Sequence, residues 1–321
     1  MKAYFELKSI IEVNNYEIIH CHTPMGGVIA RLAARQARRN GTKVIYTAHG
    51  FHFCKGAPIL NWLVYYPIEK ALSHFTDCLI TINEEDYMLA VNHRLKAKKI
   101  EHVHGVGVNT ERFQPVDEYH KREARISFGY EPDDFMMFYA AEFNKNKNQQ
   151  LLIQALALLK EEVPKAKLLL AGSGPLFESC QELAGQLGVS KHVHFLGHRN
   201  DIDKILPLCD IAVASSTREG LPVNIMEAMA CGLPVIASDN RGHRELVRND
   251  LNGWIIAPDD TIAMSKKMEI LSEQQELKRL FGRMGREIVV REYAINKVLE
   301  EKRSIYSLFM DEKVEVMWAI Q

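Results

Sequence analysis

Short apolar runs alternate with longer stretches of helical spacing almost from end to end of the 321-residue chain, and this alternation fixes the class of fold. Strands apolar on both faces need helices above and below them, so the pattern predicts an α/β protein built on parallel sheets. The first unit runs from a strand at Tyr16–His22 through Gly26-Gly27 into a basic amphipathic stretch from Val28 to Arg39. Lys43–Gly50, Asp77–Ile82 and Ile100–His104 add three strands before the periodicity stops near 109–115 and a charged stretch, 117–125, begins. A second series follows at 135–141, 167–171, 192–196, 211–214, 235–237 and 253–256. At roughly 100–200 residues per domain the length suits two cores. The expected organisation is therefore 1–115, then 116–292, then a helix in 293–321 that packs back toward the first domain.

The composition narrows the function classes. Hydrophobic residues make up 47% and charged residues 25%, as in a packed globular protein. Residues 1–115 carry 14 Lys and Arg against 10 Asp and Glu, and the remainder 26 against 31. That excess is too small for a nucleic-acid footprint, so no nucleic acid is expected as a partner, but it can help the first domain approach anionic lipid. Six cysteines stand singly with no C-x-x-C, which predicts reduced core residues in a cytoplasmic protein. No apolar stretch approaches the ~18 residues of a membrane span, so any membrane contact is expected to be peripheral, at the inner face of the plasma membrane. Ala57–Pro67, rich in aliphatic and aromatic residues, is expected as a buried helix, with a lipid-facing surface as the alternative.

The chemistry concentrates in Ser215–Val235. Pro222 suits the first position of a helix, which leaves Gly220 and Leu221 in the loop before it and free N–H groups at the helix start, where a phosphate is the natural ligand. Glu219 lies beside that start and Glu227 more than one turn inside the helix, so two carboxylates can address different hydroxyls of one extended ligand. With Gly220, Pro222, Ala228 and Gly232–Val235, the pair resembles the E-x7-E element of the retaining glycosyltransferases of family four, enzymes of the two-domain GT-B fold, and the resemblance extends over nearly the whole chain. It implies two Rossmann-like domains facing a cleft. It also implies that Glu219 contacts the donor sugar near the reacting carbon and that Glu227 holds the ribose hydroxyls.

The same resemblance gives Gly172 and Gly174, in Leu170–Pro175, the glycine-rich turn approached by the nucleotide. It places the loop at Arg199 beside the base, Lys147 on the diphosphate, and His49, at a strand end within Lys43–Gly50, on the donor sugar. Glu142 stands where the family usually has an arginine, a departure that sets a carboxylate beside the expected phosphates. Full-length relatives begin with further βα units, so the front of the first domain is expected to be missing. The implied reaction moves a sugar from a nucleotide sugar, expected to be a UDP-sugar, to a lipid-linked saccharide in exopolysaccharide or capsule assembly. Fixed cations and N–H dipoles would stabilise the leaving group, so neither cofactor nor metal is expected. His20 and His22 share a strand face and could in principle ligate zinc, but no third ligand accompanies them, and local hydrogen bonding or an acceptor-lining role is expected. The competing classes are a non-catalytic sugar-nucleotide-binding subunit and a sugar-nucleotide epimerase. A dinucleotide oxidoreductase is disfavoured because no G-x-G-x-x-G follows a strand.

Overall fold

A computed structural model describes residues 2–310, so the last part of the expected 293–321 helix lies outside the described residues. The chain divides into two compact units, one of residues up to Gly105 together with those from Asn296 onward, the other Val106–Ile295. The expected boundary lay at 115/116. Residues 106–115 join the second unit because Val108 exchanges backbone hydrogen bonds of 2.9 Å with Tyr293 and Ile295, and Arg286 donates to the Phe113 carbonyl.

The first unit holds a parallel sheet of β1 (Ile18–His22), β2 (Lys43–Ala48), β3 (Cys78–Thr81) and β4 (Lys99–His102), paired in that order. Side chains alternate across it as the pleat requires. Tyr46 and Leu79 enter a cluster with Phe51, Phe53 and Leu95, while Ile45, Cys78 and Ile80 point to the other face and pack on Val103, Val298 and Ile305. Val298 and Ile305 belong to the helix Ile295–Ser307, so the chain's last described helix completes this core. The basic stretch after β1 is two helices, Pro24–Ala33 and Arg35–Arg39. From the first of them Arg31 reaches Glu69 through two bonds of 2.8 and 3.0 Å and lies 4.0 Å over the Tyr46 ring, which neutralises a guanidinium only 1% exposed.

The expected burial of 57–67 is not found. The helix Ile59–Ser73 buries only Glu69, Leu72 and Ser73 and turns an apolar face to solvent. Sequence could not separate the two cases, because its hydrophobic residues surround the helix rather than forming one stripe.

The second unit holds a six-stranded parallel sheet of β5 (Phe135–Ala140), β6 (Ala166–Ala171), β7 (Val193–Gly197), β8 (Ile211–Ala214), β9 (Val235–Ser238) and β10 (Gly253–Ile256), in the order β10-β9-β8-β5-β6-β7. The chain therefore builds outward from β5 through β7, then returns to the opposite side of β5. Neighbouring β5 and β8 are the point where winding reverses, and the loops at their carboxyl ends diverge to leave room for a ligand. Asp210, just before β8, fixes the other end of these strands. Burial alone would raise its pKa, but Lys121, Lys278 and Arg125 hold it down to about 2, and its carboxylate accepts the Met136 N–H at 2.8 Å. All six cysteines are buried and free.

Candidate active site

The loops after β5 and β8 are tied to each other. Thr217 donates its backbone N–H to the Asn146 carbonyl at 2.8 Å, Asn146 Nδ2 donates to the Arg218 carbonyl at 3.0 Å, and the Ser215 hydroxyl donates to the Lys147 carbonyl at 2.7 Å. This lacing sets Lys147 Nζ against Glu219 Oε1 as an ion pair, with both side chains partly buried. Two expected site residues separated by 72 positions thus meet at the reversal of the sheet. Arg241 and Gly242, which sequence did not single out, support Glu219 from below. Arg241 Nε donates to the Glu219 carbonyl at 3.2 Å, and a Cβ on Gly242 would lie 2.8 Å from Glu219 Cβ. The available signal was a glycine within the first turn of the helix after β9.

The helix after this loop spans Val223–Ala230. Pro222 is its N-cap, with ψ of 113°, rather than its first helical residue; the proline makes no side-chain cap, and within the first turn the Ile225 N–H donates to Asn224 Oδ1 at 3.0 Å. Gly220 and Leu221 precede it as expected, and Leu221 is buried. Glu227 lies inside the helix. Burial raises its pKa from the ordinary carboxylate value to about 7, with Arg112 opposing the shift and Asp203 adding to it. Arg112 and Asp203 pair at 2.8 Å. Neither was visible in the sequence, because only the fold brings residues 112, 203 and 227 together.

Gly172, Gly174 and Arg199 share the lining of a cavity of about 470 Å³ with Ala140, Ala141 and Glu142. The glycines are required there by the protein itself. A Cβ on Gly172 would sit 2.0 Å from the Ala141 carbonyl oxygen, and one on Gly174 2.5 Å from that of Phe143, both at positive φ. The turn therefore lets the loops after β5 and β6 lie against each other and leaves the cavity open above them. Arg199 is bound to Asp201 through contacts of 2.8 and 2.6 Å, so its guanidinium is already engaged. Glu142 is exposed, and its carboxylate accepts from Asn144 Nδ2 at 2.9 Å.

In the first unit, His49 follows β2 and its Nε2 lies 3.0 Å from Nδ1 of His22, the last residue of β1. Burial, then Lys302, lowers the pKa of His49; burial, then His49 and Lys302, lowers that of His22. Both shifts favour the neutral imidazole, which is suited to hydrogen bonding. His20 has both ring nitrogens engaged in hydrogen bonds, Nε2 with the Thr47 hydroxyl at 2.8 Å and Nδ1 with the Tyr306 hydroxyl. Among the described residues no three His, Cys, Asp or Glu side chains converge to hold a metal ion.

Comparison with known proteins agrees with this architecture. Residues 120–288 match the family described as "Glycosyl transferases group 1" and residues 1–83 that described as "Glycosyl transferase 4-like". The putative glycosyltransferase EpsD of Bacillus subtilis (strain 168) is 51% identical over 311 residues, covering 97% of this chain and 81% of its own. A UDP-Gal:alpha-D-GlcNAc-diphosphoundecaprenol alpha-1,3-galactosyltransferase of Escherichia coli is 26% identical over 309 residues, covering 95% and 79%. Among solved structures, Anabaena Alr3699/HepE in complex with UDP superposes with a TM-score of 0.82 at 20% identity, covering 94% of this chain and 82% of that one. Sucrose-phosphate synthase from Thermosynechococcus elongatus gives 0.79 at 22%, covering 96% and 77%. These two neighbours establish the GT-B fold.

Proposed function

Since the chain belongs to the group 1 glycosyl transferases, we propose that it is a retaining enzyme that moves a sugar from a UDP-sugar to a hydroxyl of a lipid-linked saccharide in exopolysaccharide assembly. One observation carries the reading: Lys147 and Glu219 are paired where β5 and β8 diverge, directly before the start of the helix that bears Glu227. In this proposal the diphosphate lies at that helix start, where N–H dipoles and Lys147 stabilise the charge that develops as the glycosidic bond breaks. Glu219 meets the donor sugar, Glu227 accepts from the ribose hydroxyls, and the backbone at Gly172, Gly174 and Arg199 frames the nucleotide. His49 is given the donor-sugar contact that the family resemblance implies.

Glu219 is paired with Lys147, so the reading takes same-face displacement rather than a covalent glycosyl-enzyme, with the leaving phosphate accepting the acceptor's proton and no metal ion. A lipid-linked acceptor would place the reaction at the inner face of the plasma membrane. The E. coli relative's diphosphoundecaprenol acceptor supports the choice of acceptor class. The test supplies UDP-glucose, UDP-galactose and the two UDP-N-acetylhexosamines, each with a polyprenyl-diphosphate N-acetylhexosamine and with a chelator present. Anomeric configuration of the product is then determined by NMR. Transfer with retained configuration is expected. Folded protein that binds UDP and neither transfers nor hydrolyses any of these donors would replace the proposal with nucleotide binding alone.

A further inference from the structure

The helix Ile59–Ser73 packs on the first unit through Glu69, Leu72 and Ser73, with Trp62 and Tyr66 partly buried against Phe53, and turns the opposite side to solvent. Ile59 is 78% exposed, Leu60 69% and Leu63 68%, and Val64, Pro67 and Ile68 continue the ridge along the following turns. Isolated apolar side chains on a surface are ordinary, but a continuous aliphatic ridge marks an interaction face. The helix has 15 residues, and no described helix is long and apolar enough to cross a membrane, so this face can lie on a bilayer but not span one.

The exposed charges beside the ridge are cationic, and the nearby Asp77 is buried and paired with Arg38 and Lys98. Glu69 is the helix's single acidic residue, and it is buried against Arg31. Cations gather at the helix's carboxyl end. Lys70 Nζ donates to the His93 and Arg94 carbonyls, which brings Arg94 alongside. Lys96 donates its backbone N–H to the Ser73 hydroxyl at 2.7 Å, and the Arg35 guanidinium lies 4.6 Å over the ring of Phe75. Lys55 is exposed just ahead of the other end. The segments that supply this rim, residues 28–39 and 91–99, contain no aspartate or glutamate.

We infer that this face docks on the surface of an anionic lipid bilayer, with the aliphatic ridge entering the boundary between headgroups and acyl chains and the cationic rim on the phosphates. An apolar ridge bordered by lysine and arginine is what such a surface holds. Self-association fits less well, because two-fold pairing of the face would bring two cationic rims together at low dielectric. The inference deepens the acceptor part of the proposed function by giving the first unit a way to reach a membrane-bound substrate. It rests on that reading only for its purpose, since docking needs neither donor nor turnover.

The test is sedimentation with vesicles of equal parts phosphatidylglycerol and phosphatidylcholine, compared with phosphatidylcholine alone, without sugar nucleotide. The native chain should partition onto the anionic vesicles and weaken as salt rises. Leu60→Asp/Leu63→Asp alters two solvent-facing positions, and its circular dichroism melt should match the native protein; its partitioning should fall at least about tenfold. Arg35→Glu/Arg94→Glu should lower binding to the anionic vesicles and flatten its salt dependence. Native protein that ignores anionic vesicles, or a leucine variant that partitions as well as the native chain, overturns the inference. So does a native dimer that the leucine variant converts to monomer while neither binds vesicles. A chain that partitions as expected but transfers no sugar leaves the docking face standing and removes the catalytic reading.

Discussion

Glu227→Gln separates the cost of holding a carboxylate in the second unit from the stabilisation that a ribose ligand would provide. Burial lifts the pKa of Glu227 from 4.5 to about 7, Arg112 opposing and Asp203 adding to the shift. At 1.36 kcal/mol per pKa unit this corresponds to about 3 kcal/mol. The folded state binds this proton more tightly than the unfolded chain does, so native stability falls as pH rises from about 4.5 to about 7 and is level above that. Glutamine carries no such charge. The variant should therefore be more stable than the native protein at pH 8, by about 2–3 kcal/mol in urea unfolding, and should lose that advantage by about pH 4.5. Ligand binding should show the opposite preference. Ribose hydroxyls donate to the ionised carboxylate, so UDP affinity measured by titration calorimetry should rise about tenfold per pH unit between about 5 and 7, with a proton released on binding. In Glu227→Gln that slope should vanish and affinity at pH 8 should fall. A native UDP affinity that is flat from pH 5 to 8 would refute the assignment of the ribose to this carboxylate, and a glutamine variant no more stable at pH 8 would refute the cost of its burial.

Lys147→Ala should lower kcat/KM for donor by about 3 kcal/mol, the scale of one lost electrostatic contact in a transition state, and unchanged turnover would remove Lys147 from the mechanism. Gly174→Ala places a Cβ 2.5 Å from the Phe143 carbonyl oxygen at a φ of +152°. It should destabilise the second unit by about 2 kcal/mol or more, visible as a lowered melting temperature. Asp210→Asn leaves Lys121, Arg125 and Lys278 facing a neutral amide and should cost about 3–5 kcal/mol at pH 7. Because the Asp210 pKa is depressed, its contribution is present above the ordinary carboxylate range and is lost as pH falls through about 2, so native and variant unfolding should converge in strong acid.

The strands were legible because each is a short apolar run bounded by polar or glycine positions; Ile211–Ala214 and Gly253–Ile256 have the expected limits. The family resemblance assigned Lys147 and Glu219 to one site, but their pairing was not expected, since no local pattern links loops 72 residues apart. Residues whose roles arise from tertiary packing stayed hidden. Arg112 and Asp203 act on Glu227 through space, and Lys302 acts on His22 and His49 from a helix more than 250 positions away. The helix Ile59–Ser73 failed for a different reason: composition reports how apolar a segment is, and only the packed neighbours decide whether protein or solvent receives it.

The core of the first unit also sets an order of events during synthesis. Val106–Ile295 is contiguous, so the second unit has all its residues as soon as Ile295 leaves the ribosome. The first unit, although translated earlier, has Ile45, Cys78, Ile80 and Val103 waiting for Val298 and Ile305. Its sheet must remain uncovered on one face through the synthesis of nearly 200 further residues, the span of the intervening unit. Nascent chains of this protein should accordingly be most dependent on chaperones just before the last helix emerges, and the amino-terminal half should be the later of the two to become resistant to protease.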